Sequence, residues 1–332
     1  MSEKESRSKL SIGFVLARRF TLSAFANFVD VLRLAADERD RSRKIKCEWS
    51  VLSPTMAPVR SSTGISVQPD RRLGDPRAFD YIAVVGGLID GVETLDREHE
   101  AYLRKAAEAG VPLIGVCTGA FILHRLGLMD GYRCCVSWFH HADFLDQFDG
   151  LEPISDRIFV EDRDRLTCSG GVSSAHLAAR LVERHVGRSE AQKSLHVMII
   201  DEVMGQEKAQ PLPALDIDTR DELVKRALVL LYETIEQPLT IDQLSERLEV
   251  SRRKLERRFK AAIGVSPAET ALRMRLERAI YLLKNTDQSV TGISADTGFY
   301  DASHFINAFR ARHGVPPEEY RNRLSLEPAS SA

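Results

Sequence analysis

The chain has 332 residues, more than one ordinary hydrophobic core organises, so two domains are expected. Hydrophobic residues make up 43% and charged residues 28%, a globular balance, and no apolar run approaches the roughly 18 residues that a membrane span needs. A net charge of −2 excludes binding to a polyanion through bulk charge alone, and the polar N-terminus carries no apolar leader, so a cytoplasmic location is expected.

The first half alternates in character. Residues 10–17 (LSIGFVLA) read as a buried strand, 22–36 as a helix and 47–52 as a strand. The run 81–85 is a short strand ending in Gly86-Gly87, and 97–109 is an amphipathic helix. Residues 111–116 read as a strand and 118–126 as a helix. Short strands follow at 157–160 and 166–169, then helices at 173–185 and 189–204. Strand and helix by turns predict a doubly wound, mostly parallel sheet of flavodoxin-like type, covered on both faces. The stretch 205–219 holds two prolines without periodicity and reads as a linker. Beyond it every periodic segment is helical: 221–237, 241–248, 251–262, 267–284, 290–297, 302–313 and 317–324. The expected organisation is an α/β domain (1–204), a linker (205–219), an all-helical domain (220–325) and a tail (326–332).

The five cysteines, at 47, 117, 134, 135 and 168, are odd in number and lack paired metal-ligand spacing. Reduced thiols are expected, with no metal and no cofactor.

The helical half repeats itself. RRFKAAIGVSPAE (257–269) overlays NAFRARHGVPPEE (307–319) at an offset of 50, matching Phe259 with Phe309, Gly264 with Gly314 and Pro267 with Pro317. Upstream, the same offset pairs Ser245 with Ala295 as the small residue at a close helix crossing, and Leu255 with Phe305. Each unit is a short helix, a tight turn, a longer helix and Gly-Val-x-Pro, which is the order of a helix-turn-helix. Nine Lys/Arg lie between residues 252 and 278, against three acids. A bare charge run is usually a solvated helix face.

The segment LTIDQLSERLEVSRRKLERRFKAAIGVSP followed by GFYDASHFINAFRARHGVPPEEYR resembles the AraC/XylS family of transcription regulators over about residues 221–324. The resemblance implies two DNA-reading helices. In the first, Arg253, Glu256 and Arg257 would face base edges, and Arg252, Lys254, Arg258 and Lys260 would meet phosphates. In the second, Ala302, Ser303, His304 and Asn307 form a weakly charged reader, Asn307 standing where the family often has arginine.

The first half, through AVVGG (83–87), GVCTGAFILHRLGLMDG (115–131), Trp138 and LTCSGG (166–171), resembles the PfpI/class I glutamine-amidotransferase-like superfamily over about residues 10–187. The two resemblances in this order are those of the GlxA-like regulators. They imply Cys117 at a strand-to-helix elbow, where helix N–H groups lower a thiol pKa. Catalytic relatives carry a histidine directly before the tryptophan and a glutamate on the early helix. Here those positions are Ser137 and Ala24, although His140 and His141 lie nearby. The expectation is therefore a non-enzyme, with Cys117, Thr118, Gly87, Ser137 and Trp138 forming a pocket for a small metabolite related to amines or amino acids. The expected partners are double-stranded operator DNA, RNA polymerase and a second copy of the chain, with no membrane. The alternative is a thiol-dependent, glyoxalase- or amidase-like enzyme with an accessory DNA-binding domain. A packed core thiol and a redox-sensing thiol are further readings of Cys117.

Overall fold

The strand Leu10–Leu16 (β1) is buried at all seven positions. Successive side chains leave a strand on opposite faces, so a wholly apolar strand needs a core on each side. The computed structural model supplies both. It describes residues 10–38, 41–89, 95–211, 217 and 219–326. Ile12, Phe14 and Leu16 enter one core with helices Leu22–Ala36 (α1) and Ser173–His185 (α5). Val15 enters the other, with helices Arg97–Glu108 (α2) and Gly119–Arg125 (α3). Phe14 meets Phe25 and Phe28 of α1 edge to face, each at 5.4 Å.

Neighbouring strands are Cys47–Ser53 (β2), Tyr81–Val85 (β6), Leu113–Val116 (β7), Phe159–Asp162 (β8) and Arg165–Cys168 (β9). With the two-residue strand Arg71–Arg72 (β5) they form a seven-stranded sheet in the order β5-β2-β1-β6-β7-β9-β8. All pairs are parallel except β8 with β9. Sequence periodicity misses β5, the small antiparallel pair Val59–Arg60 (β3) with Ser66–Val67 (β4), and helix His141–Gln147 (α4).

Two expectations for this half need correcting. The helix read to residue 204 spans only Arg188–Val197 (α6), because Ile199 turns left-handed at φ +60°. The stretch from residue 205 is not all linker. The chain divides into two units, residues 1–210 and 211–332. The Lys208 carbonyl accepts from the Ile158 N–H at 3.0 Å. The buried Gln210 amide donates to the carbonyls of Val136 (2.8 Å) and Arg157 (2.7 Å), and its oxygen accepts from the Trp138 N–H (3.0 Å). Most of the remaining linker and of the predicted tail lies outside the described residues.

The second unit is helical: Glu222–Glu233 (α7), Ile241–Arg247 (α8), Arg252–Ile263 (α9), Pro267–Asn285 (α10), Val290–Asp296 (α11), Ala302–His313 (α12) and Pro317–Leu326 (α13). Side-chain caps start α7 to α12: Asp221, Thr240, Ser251, Ser266, Ser289 and Asp301 each accept a first-turn N–H. Two small cores result. Leu255 and Phe259 fill the first, and Phe305 and Phe309 the second, all four fully buried. Helix α10 is common to both, giving Met274 to the first and Leu276, Ala279, Leu282 and Leu283 to the second.

The repeat is not uniform in register. Helices α9 and α12 match at the offset of 50, and each ends on a left-handed glycine, Gly264 (φ +78°) or Gly314 (φ +80°). Helices α8 and α11 match at 49, as do their caps and the left-handed turn residues Glu249 (φ +57°) and Gly298 (φ +68°). The partner of buried Ser245 is therefore Ser294, also buried, and not the exposed Ala295 that the offset of 50 pairs with it. The second turn holds one extra residue. Arg275 of α10 secures it, donating to the carbonyls of Thr297 (2.7 Å) and Gly298 (2.5 Å) while its guanidinium lies 3.8 Å from the Phe299 ring centre.

Candidate functional site

Strand β7 delivers Cys117 to the start of α3 with φ at +56°, a left-handed conformation that a non-glycine residue holds only under constraint from its surroundings. The constraint is visible. The Cys117 N–H donates to the Cys168 carbonyl (3.1 Å), and the Thr118 hydroxyl donates to the Gly87 carbonyl (2.7 Å) instead of capping α3. Gly170, itself at φ +95°, lies so close that a Cβ there would sit 2.9 Å from the Cys117 sulfur. Thr21 places its hydroxyl 3.5 Å from that sulfur.

Burial pushes the Cys117 thiol above its ordinary value, and the Thr21 hydroxyl and the Thr118 N–H offset this only in part. The expected depression by helix N–H groups is thus overturned by desolvation. Cys47 and Cys134 are pushed up to about 12 and Cys168 to about 11, all three buried, whereas Cys117 is half-buried. Alkylation of the native protein by iodoacetamide should therefore modify Cys117 first, with a rate still climbing as pH passes 9. Peptide mass spectrometry across pH checks this, and a rate plateau near pH 7 contradicts it.

The predicted pocket residues differ in what holds them. Cys117, Thr118 and Gly87 are brought together. Ser137 instead caps the turn Trp138–His140, accepting from the Phe139 N–H (3.3 Å), and the Trp138 backbone is tied to Gln210. His140 pairs with Asp143 (2.8 Å) and His141 with Ser155 (2.6 Å), and Ala24 is an apolar core residue. Thr21, Gly170 and Gln210 were not anticipated. Thr21 carried a signal as a threonine directly before a helix, although its hydroxyl makes no cap there, and Gly170 stands in the LTCSGG stretch already noted; Gln210 carried none.

Helix α9 shows Leu255 and Phe259 to its core and its basic face to solvent. Several of its charges are already engaged. Arg252 pairs with Glu256 (2.9 Å) and Asp242 (3.3 Å), Arg258 pairs with the α7 cap Asp221, and Lys260 donates to the Gly264 carbonyl (2.8 Å). Arg253, Lys254 and Arg257 are exposed and have no side-chain partner among the described residues. Arg253 and Arg257 are four residues apart, which puts them on one helix face. In α12 the corresponding residues are Ser303 and Asn307, both exposed; Ala302 is half-buried, and the His304 ring meets Phe299 at 5.4 Å. Arg258→Gln should consequently weaken DNA binding less than Arg253→Gln, because its charge is held by Asp221. Fluorescence anisotropy with one labelled duplex compares them, and an equal or larger loss in Arg258→Gln reverses the assignment.

The profile of a helix-turn-helix domain matches residues 244–323, and that of the DJ-1/PfpI family matches residues 12–184. The HTH-type transcriptional regulator GbdR of Pseudomonas aeruginosa is 33% identical over 97% of this chain and 87% of its own length. The chain belongs to the AraC-type transcription regulators that carry an N-terminal DJ-1/PfpI domain. GlxA of Rhizobium meliloti, also an HTH-type transcriptional regulator, is 27% identical over 97% of this chain and 98% of its own. Isonitrile hydratase of Pseudomonas putida is 30% identical over 55% of this chain and 75% of its own, so the first domain of this AraC-type regulator has relatives among enzymes as well as regulators. No helix among the described residues is long and apolar enough to cross a membrane.

Proposed function

We propose that this AraC-type regulator is a cytoplasmic, homodimeric, sequence-specific activator that recruits RNA polymerase when its first unit holds a small amine- or amino-acid-related metabolite at the Cys117 elbow. The observation that carries the reading is the exposed pair Arg253 and Arg257 on one face of α9, without side-chain partners among the described residues. A guanidinium that spends no hydrogen bonds within the protein is available to grip guanine O6 and N7. Two reading helices in one chain suit two half-sites about 10 base pairs apart. The α12 reader contributes shape and Asn307, whose amide suits adenine. At the elbow the raised thiol and the prior engagement of His140 and His141 favour binding over turnover, with Cys117, Thr118 and Gly87 lining the site and Ser137 and Trp138 at its rim.

Selection of duplexes from a random pool by the full-length protein, beside Arg257→Ala, tests the reading. The expected result is one motif with two half-sites about a turn apart, and a loss of about 1–3 kcal/mol of specific binding in the variant. Equal enrichment by both proteins would remove α9 as the reader. The left-handed nucleophile-type elbow and the isonitrile hydratase relative favour one other reading, a thiol-dependent enzyme. Its test is turnover of isonitriles, glyoxals or amides that disappears in Cys117→Ala.

A further inference from the structure

The two helix-turn-helix units differ at the entry to their second helices. In the first, Glu249 turns left-handed and Ser251 caps α9, with Val250 alone between them. In the second, Gly298 turns left-handed and Asp301 caps α12, with Phe299 and Tyr300 between them. Val250 packs against the first core, and Phe299 takes the same inward place in the second, buried against Phe305 with ring centres 5.1 Å apart. The inserted residue is therefore Tyr300. It is 95% exposed, more than any other large apolar or aromatic residue among those described, and its hydroxyl has no hydrogen-bond partner among the described residues.

The backbone that carries Tyr300 is fixed from both sides. Arg275 holds the carbonyls of Thr297 and Gly298, and the Asp301 carboxylate accepts from the His304 N–H (2.7 Å). An aromatic ring left in water adds nothing to the fold. This one stands beside the first turn of α12, the end of a reading helix that meets DNA. That turn, Ala302, Ser303 and His304, has no lysine or arginine, whereas the matching turn of α9 has Arg252, Arg253 and Lys254. Helix α12 thus lacks, at its leading end, the cations that usually hold the phosphate backbone.

We propose that Tyr300 is the backbone anchor of the second reading helix: its hydroxyl donates to a phosphate oxygen flanking the α12 half-site, and its ring covers the adjoining deoxyribose. This role rests on the two-site reading given under Proposed function. A neutral hydroxyl grips a phosphate without displacing a counterion, so Tyr300 adds affinity that salt does not remove, and adds it whatever the base sequence.

The test is fluorescence anisotropy of full-length protein on a labelled duplex that the wild type enriches from a random pool, over a series of KCl concentrations. Tyr300→Phe should bind about fivefold more weakly and Tyr300→Ala about tenfold or more, both with the wild-type salt slope and the wild-type thermal unfolding midpoint. Lys254→Gln, the comparison, should flatten the slope by about 1. Methylphosphonates placed one phosphate at a time through the α12 half-site should then find one position where the loss seen in wild type shrinks in Tyr300→Phe. Wild-type affinity in both variants overturns the anchor. So does a lowered unfolding midpoint in Tyr300→Ala, which makes the residue structural, or a methylphosphonate profile that is the same in wild type and Tyr300→Phe. A pool from which the wild type enriches no duplex overturns the two-site reading and the anchor together, whereas enrichment with unaffected variants overturns the anchor alone.

Discussion

Phe259→Ala should cost the second unit about 3–5 kcal/mol and remove nearly all specific DNA binding. The Phe259 ring is fully buried in the core that joins α9 to α7, α8 and α10, and the basic face of α9 points outward because this ring and Leu255 point inward. That core is small, so a cavity there has little apolar surface to collapse onto, and the loss is a large share of a domain's usual 5–15 kcal/mol, roughly. The chain's two tryptophans, Trp49 and Trp138, both lie in the first unit, so two probes separate the effects. Circular dichroism at the helix band should show an earlier unfolding step in urea, while tryptophan fluorescence keeps its wild-type midpoint. Phe309→Ala should damage the second core equally and affect DNA binding less, since α12 carries Ser303 and Asn307 where α9 carries arginines. Unfolding steps that shift together in both probes would contradict this separation.

The second large effect falls at the elbow. A Cβ added at Gly119 would lie 2.2 Å from the Val84 carbonyl oxygen, a contact with sheet backbone that no rotamer change relieves. Gly119→Ala must push α3 off β6, and overpacking of this kind costs about 1–3 kcal/mol or more. The shift also breaks the Thr118–Gly87 hydrogen bond and frees Cys117 from its left-handed constraint. The expected signs are a lower midpoint by tryptophan fluorescence and faster alkylation of Cys117 at pH 8, with DNA affinity measured on ligand-free protein little changed. A variant as stable as wild type, with an unaltered thiol, would show that the elbow accommodates the methyl group.

Much of this was legible in the sequence for identifiable reasons. Continuous apolar runs such as 81–85 announce strands buried on both faces. Ser251, Ser266, Pro267 and Pro317 mark helix starts, and Gly264 and Gly314 mark helix ends, by local chemistry that tertiary contacts do not override. The failures share a cause. Two-residue strands have no period to detect. The extra residue in the second helix-turn-helix disappears when a single offset is applied, because phenylalanine and Gly-Val-x-Pro dominate the match while Ser294 and Ala295 are both small. Gln210 looked like linker because it is polar and stands next to a proline; that its amide completes two buried carbonyls is a fact of three dimensions. The thiol of Cys117 went the wrong way for the same reason: helix N–H groups can be inferred from sequence order, but the desolvation that outweighs them cannot.

The two-residue strand β5 has a consequence for the protein in concentrated solution. Open sheets present unpaired backbone at their edges, and a long apolar edge is a template for another copy's strand. Here that rim of the sheet is only Arg71 and Arg72, both exposed, with the Arg71 guanidinium lying 5.3 Å from the Phe79 ring centre. A strand approaching this rim finds two residues of backbone and two positive charges, too little to nucleate a ladder. At this rim, its shortness and its charge close the sheet to edge-to-edge pairing.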